Sequence, residues 1–181
     1  MISLVTGRQG SGKTLLLVLQ ALRARAEGRV VYSNVHLVGI PYKKIMIDDV
    51  VHSRLENGVC LIDEIHQFLP SRRSLSARSV SIVDGFLSMV RKKRLELWGS
   101  TQLERKVDVR LREEKDFFFV CSKQIHDGSG FKDIVGFDWP KGDVFVRVDG
   151  LDVFSNHSRT FRFYANALYS KYDTSQVIRI E

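Results

Sequence analysis

Eight consecutive residues, Gly7-Arg8-Gln9-Gly10-Ser11-Gly12-Lys13-Thr14, satisfy G-x-x-x-x-G-K-[ST] at every fixed position. Glycines at those places let the backbone curl so that successive N–H groups converge on phosphate oxygens, and a helix starting at Lys13 adds its N-terminal dipole. Lys13 then reaches the outer phosphates as a point charge, and the Thr14 hydroxyl is an oxygen suited to Mg²⁺. Further along, Gly58-Val59-Cys60-Leu61-Ile62-Asp63-Glu64 is an apolar run that delivers two acids at its end. Asp63 is expected to hold the Mg²⁺ through water, and Glu64 to orient or deprotonate an attacking water. A pair of acids favours hydrolysis over transfer to an acceptor hydroxyl. Gln102 closes a third run, residues 95–101, where a polar side chain could touch a γ-phosphate and report its loss.

These residues need strands and a helix to bring them together. Residues 1–6 read as a buried strand entering the phosphate loop, and residues 13–26 as a helix apolar almost all round, closed by Gly28. Further strands are expected at 29–33, 59–63, 95–101 and 117–121, with a helix at 82–93 that sets Val83, Phe86, Leu87 and Val90 on one face. Strands alternating with helices argue for an α/β three-layer sandwich whose central sheet is mainly parallel. After about residue 121 the pattern changes. Residues 131–139 and 144–149 look like a hairpin and 159–163 like another strand, giving a β-rich extension over 122–181 attached to a core over 1–121 in one domain, 1–181.

Composition limits the alternatives. With 181 residues, 44% hydrophobic and 27% charged, the chain has the balance of a globular domain, and its eleven Phe and three Pro exclude disorder and low complexity. The longest uncharged apolar runs fall far short of the roughly 18 residues of a membrane span, and no basic leader precedes the first strand, so a cytoplasmic or virion-associated location is expected. Cys60 and Cys121 each sit in an apolar run and read as buried reduced thiols. Residues 71–115 hold twelve Lys/Arg against six Asp/Glu, which accounts for +6 of the net +7. Such a concentration suits a polyanion-facing surface, expected beside the strand that ends at Gln102.

With the glycine-rich loop, the strand ending in Asp63-Glu64, a helix ending in basic residues, Thr101-Gln102 and an Asp108-x-x-x-Arg112 element, the chain resembles the FtsK–HerA branch of P-loop ATPases. Its likeness is to Zot-like and viral genome-packaging proteins over about residues 1–121, and Tyr172-Asp173-Thr174 is similar to the YDT that ends many Zot-like domains. The resemblance implies a ring-forming motor, usually hexameric, that hydrolyses ATP with Mg²⁺ to move DNA, with a capsid or portal as a further partner. It gives Lys13 and Thr14 the Walker A roles, Asp63 and Glu64 the Walker B roles and Gln102 the sensor role. Arg91 or Arg94 would supply a finger across the subunit interface, with Arg105, Arg110 and Arg112 as other candidates. Filamentous-phage assembly relatives carry a membrane span after the ATPase domain, so packaging is favoured over extrusion. Asp63-Glu64-Ile65-His66 also spells the DExH of two-lobed helicases, but 181 residues leave no room for a second lobe, and His66 reads as a helix-surface residue.

The leading expectation is therefore ATP-driven DNA translocation that packages a viral genome, acting on duplex DNA. Arg72, Arg73, Arg78, Lys92, Lys93, Lys106 and Lys115 would contact phosphates or a neighbouring subunit. Virion assembly or extrusion, a small-molecule kinase and a weakly hydrolysing nucleotide switch are the alternatives.

Overall fold

The computed structural model describes residues 1–46, 49, 54–69, 77–136 and 140–173. Strand β1 (Ile2–Thr6) feeds the phosphate loop, and α1 (Lys13–Ala26) leaves it. Then come β2 (Val30–Ser33), β3 (Lys43–Lys44), β4 (Gly58–Ile62), α2 (Ile65–Phe68), α3 (Ala77–Lys92) and β5 (Glu96–Thr101). A 3-10 turn (Glu104–Lys106), α4 (Val109–Glu113) and strands β6 (Phe117–His126), β7 (Phe131–Ile134), β8 (Val144–Asp152) and β9 (His157–Tyr164) follow, and a 3-10 segment (Asn166–Lys171) closes the described chain.

The strands form one sheet in the order β3-β2-β4-β5-β1-β6-β8-β9, with β7 paired to β6. From β3 through β6 every pairing is parallel; β7, β8 and β9 add antiparallel strands. Parallel pairing requires cover on both faces, which explains the unbroken burial of β4 and β5. On one face α1 packs Leu15, Leu16, Val18 and Ala21 against Val5, Val59, Leu61 and Cys121, and extends over Val144, Val146 and Val148 of β8. On the other, Phe86, Leu87 and Val90 of α3 and Leu111 of α4 cover Leu4, Cys60, Ile62 and Leu97. Helix α1 ends where Gly28, at φ 72°, lets the Gly28 and Arg29 amides donate back to the Arg25 and Ala24 carbonyls.

Two expectations change. The strand expected at 117–121 runs on to His126, because β7 and β8 flank its polar second half. The expected hairpin between 131–139 and 144–149 does not form: β7 folds back on β6 with His126 opposite Phe131, while β8 pairs the other edge of β6. Residues 137–139 of that expected strand lie outside the described residues.

Candidate active site

Parallel order brings the ends of β1, β4 and β5 to one edge of the sheet, with β5 between the other two. The loop from Gly7 to Gly12 turns over this edge. Gly12 adopts φ 92°, and a Cβ there would lie 2.3 Å from Val146 Cγ2, so the approach of the loop to β8 admits only glycine. Lys13 Nζ donates to the Gly7 and Arg8 carbonyls, at 3.0 Å each. Burial holds its ammonium below the usual lysine range, against the nearby charges of Asp63 and Glu64.

Thr14 and Asp63, 49 residues apart in sequence, meet where Thr14 Oγ1 donates to Asp63 Oδ2 at 2.7 Å. Asp63 is fixed from three sides. Its N–H donates to Asn34 Oδ1 at 2.8 Å, its carbonyl accepts from Asn34 Nδ2 at 2.9 Å, and its Oδ1 accepts from Ser100 Oγ and from Glu64 N. Asn34 thus extends the β2–β4 ladder with a side chain. A hydroxyl beside a carboxylate is a hard-oxygen donor set that fits Mg²⁺. Among the described residues no group of three or more His, Cys, Asp or Glu surrounds it, so substrate oxygens and water would complete the coordination.

Glu64 follows with φ 51° and ψ 49°, a left-handed conformation costly for a residue with a Cβ. Its Oε1 accepts from Gln102 Nε2 at 3.1 Å, and His66 Nδ1 lies 3.2 Å from its Oε2. The same His66 nitrogen is 3.2 Å from Thr101 Oγ1, so this half-buried histidine faces the site, contrary to the helix-surface expectation. Gly99 lets α2 approach: a Cβ there would lie 2.4 Å from Ile65 Cδ1.

The arginine candidates lie elsewhere. Arg91, in the last turn of α3, and Arg94, just after it, lie at the end of the sheet away from the phosphate loop; Arg91 is 3.4 Å from Glu114, and Arg94 is exposed in the turn before β5. Arg110 is 11% exposed and locked to Asp108 and Asp84, which removes it as a mobile finger. Arg105 is exposed on the 3-10 turn after Gln102, and Arg112 is half-buried.

The basic stretch is not one patch. Lys92, Lys93 and Arg94 gather at the far end, Arg105 and Lys106 lie on the segment after Gln102, and Lys115 pairs with Glu104 at 2.9 Å. Arg72, Arg73 and the side chain of Arg78 lie outside the described residues. The single surface expected beside Gln102 is therefore split, because β5 carries the chain from one end of the sheet to the other. Cys60 and Cys121 are free and buried, and burial pushes both thiols up to about 12.

Sequence reasoning missed Asn34, Ser100 and the C-terminal strap. Tyr172 bridges Leu37, Val38 N donates to the Lys171 carbonyl at 2.7 Å, and Asp173 N to the His36 carbonyl, tying the chain end beside Asn34. Burial, then the charge of Asp63, raises the Tyr172 hydroxyl above its ordinary range. Thr174 of the YDT lies outside the described residues. A cavity of about 330 Å³ adjoins the loop between residues 7–11, 120–123 and 133–136.

No family model matches the chain, and no curated protein does. Solved structures do. The genome packaging NTPase B204 of Sulfolobus turreted icosahedral virus 2, in complex with ATP-gammaS, superposes with a TM-score of 0.58 at 16% identity, over 88% of this chain and 95% of that one. The chain has the fold of the P-loop NTPases. The N-terminal domain of zonular occludens toxin from Neisseria meningitidis superposes with a TM-score of 0.61 at 17% identity, over 95% and 98% of the two chains. An AMP complex of B204 gives 0.59 at 15% identity over 88% and 95%. The expected mainly parallel sheet with added C-terminal strands is what the chain adopts. Among the described residues no helix is long and apolar enough to cross a membrane.

Proposed function

We propose that the chain is a Mg²⁺-dependent ATPase. The observation that carries this reading is the meeting of Thr14 with Asp63 at 2.7 Å, beside a Glu64 carboxylate bound to Gln102 at 3.1 Å. Metal donors, base and sensor converge at one edge. Backbone N–H groups of the loop from Gly7 to Gly12 would cradle the phosphates, with Ser11 N–H now given to the Arg8 carbonyl, and Lys13 would exchange the Gly7 and Arg8 carbonyls for phosphate oxygens. Thr14, with Asp63 behind a water, would hold Mg²⁺, whose charge would offset that of the phosphate oxygens. Glu64 accepts a proton from the attacking water, and Gln102 links the base to the end of β5.

We infer further that hydrolysis drives DNA movement in a closed ring of copies, with packaging into a capsid or portal as the leading task. The fold of the B204 packaging NTPase and the exposed cations Lys92, Arg94, Arg105 and Lys106 support this reading. Arg91 or Arg94 acts on the neighbour's nucleotide, since both sit at the end of the sheet remote from their own loop. The fold shared with the zonular occludens toxin domain favours a second reading, virion assembly or extrusion. Phosphate release with and without duplex DNA separates the two. A motor accelerates on DNA and loses that acceleration steeply with salt, because each phosphate contact releases counterions; an assembly ATPase ignores DNA. Phosphate transfer to a small acceptor without phosphate release would point to a kinase.

A further inference from the structure

Glu64 offers two carboxylate oxygens, and one of them has a hydrogen-bond partner. Oε1 accepts from Gln102. Oε2 is buried and accepts no hydrogen bond among the described residues, but His66 Nδ1 lies 3.2 Å from it as a charge contact. A carboxylate oxygen has only lone pairs to present, so an N–H on the nearby imidazole nitrogen attracts it and a bare nitrogen repels it, which favours the tautomer with the proton on Nδ1. The second acceptor within 3.2 Å of that nitrogen, Thr101 Oγ1, is compatible with this tautomer, because its own proton goes to the Leu103 carbonyl at 3.3 Å. Leu103 N returns a bond to the same hydroxyl. In that tautomer Nδ1 bonds the end of β5 and sets its N–H dipole beside the acid.

From this geometry we propose that His66 is a positioning residue for Glu64. The backbone of Glu64 sits in the left-handed region, which sets the direction of its Cβ but leaves three side-chain torsions open. Gln102 alone fixes one oxygen and lets the carboxylate pivot about it. His66 restrains the second through its 3.2 Å charge contact, and both contacts trace to consecutive residues, Thr101 and Gln102. The carboxylate plane is therefore registered to β5, the strand that lies between β1 and β4. His66 makes no hydrogen bond to the described residues of the phosphate loop or to Thr14, so its effect is on the orientation of the base and not on nucleotide binding.

This inference rests on Glu64 acting as the base, and its test keeps the two claims apart. Replace His66 with Ala, with Asn, whose amide nitrogen takes the place of Nδ1, and with Gln, whose amide reaches the place of Nε2. With ATP and Mg²⁺, His66→Ala lowers kcat by roughly ten- to a hundredfold with KM unchanged, the loss expected from a misplaced reacting group. His66→Asn restores most of the rate and His66→Gln does not. Equal kcat in the Ala and parental proteins, or equal loss in Ala and Asn, overturns the proposal, as does a change confined to KM. In parallel, long-range ¹⁵N spectra of histidine-labelled protein, assigned by the signal lost in His66→Asn, report the tautomer directly. An Nδ1–H tautomer whose signals move in Glu64→Ala supports the contact, and an Nε2–H tautomer overturns it even if the parental protein releases no phosphate. That last failure would sink the ATPase reading alone.

Discussion

Replacing Asn34 with Ala removes both side-chain bonds that place Asp63, the 2.8 Å bond from Asp63 N–H and the 2.9 Å bond to its carbonyl. A hydrogen bond of this kind contributes about 1 kcal/mol net. Two bonds at a half-buried site therefore make the Ala variant about 2 kcal/mol less stable, well beyond the ~0.5 kcal/mol of an ordinary surface change. In a chain of this size that corresponds to a fall in Tm of about 4 to 8 °C. Asn34→Asp distinguishes geometry from bulk: one oxygen still accepts from Asp63 N–H, but the other faces the Asp63 carbonyl oxygen and adds charge beside an acid. It should be at least as unstable as Ala. Urea unfolding monitored by tryptophan fluorescence measures the stability, and titration with a fluorescent ATP analogue and Mg²⁺ measures binding. Loss of a residue that orients a metal-holding carboxylate weakens metal-dependent binding by about 10- to 100-fold. An Ala variant within ~0.5 kcal/mol of the parent that binds Mg-nucleotide equally well would refute the claim that Asn34 sets Asp63.

Other parts of the structure give sharp outcomes. Glu96, buried at the start of β5, accepts from Trp98 Nε1 at 2.7 Å and pairs with Arg23 and Arg29; burial alone would raise its carboxyl, but these bonds hold it below the ordinary 4.5. Its contribution is therefore complete above about pH 4.5 and is lost as pH falls through the depressed value, so acid titration of stability should narrow the gap between parent and Glu96→Gln. At neutral pH that gap is about 2 kcal/mol by urea unfolding, less than for a fully buried pair because Arg23 is 42% exposed. Gly99→Ala pushes against Ile65 and should cost about 1 to 3 kcal/mol, with partial recovery on adding Ile65→Val; no recovery would mean the strain lies elsewhere. Because Glu64 is left-handed, Glu64→Gly should be more stable than Glu64→Ala by about 1 kcal/mol in the same assay.

The phosphate loop was legible because its eight residues are contiguous, and local chemistry alone requires glycine where the backbone turns. The acids at the end of β4 were legible for a similar reason: a continuous apolar run must end somewhere, and there it ends in charge. What surrounds them was not. Asn34 and Ser100 reach Asp63 only because β2 and β5 flank β4, and lateral strand order is absent from the pattern of any one strand. The second half of β6, Ser122 to His126, has no apolar alternation to reveal it; its partners β7 and β8 keep it extended. His66 looked like a surface residue because a helix was expected to turn it outward, whereas α2 is one turn long and pressed against β5 by Ile65. The basic stretch was visible as a count but not as a shape, since a strand six residues long separates Arg94 from Arg105 in space.

Phosphate release from ATP by the parental protein and by Glu64→Gln, measured beside nucleotide binding, tests the central claim most directly. The parent should release phosphate only with Mg²⁺ present. Glu64→Gln keeps the hydrogen-bonding shape of the side chain and loses the base, so it should bind Mg-ATP as tightly while its turnover falls by about 100-fold or more. Turnover at the parental rate in Glu64→Gln, or a parental protein that binds no ATP, would contradict the account.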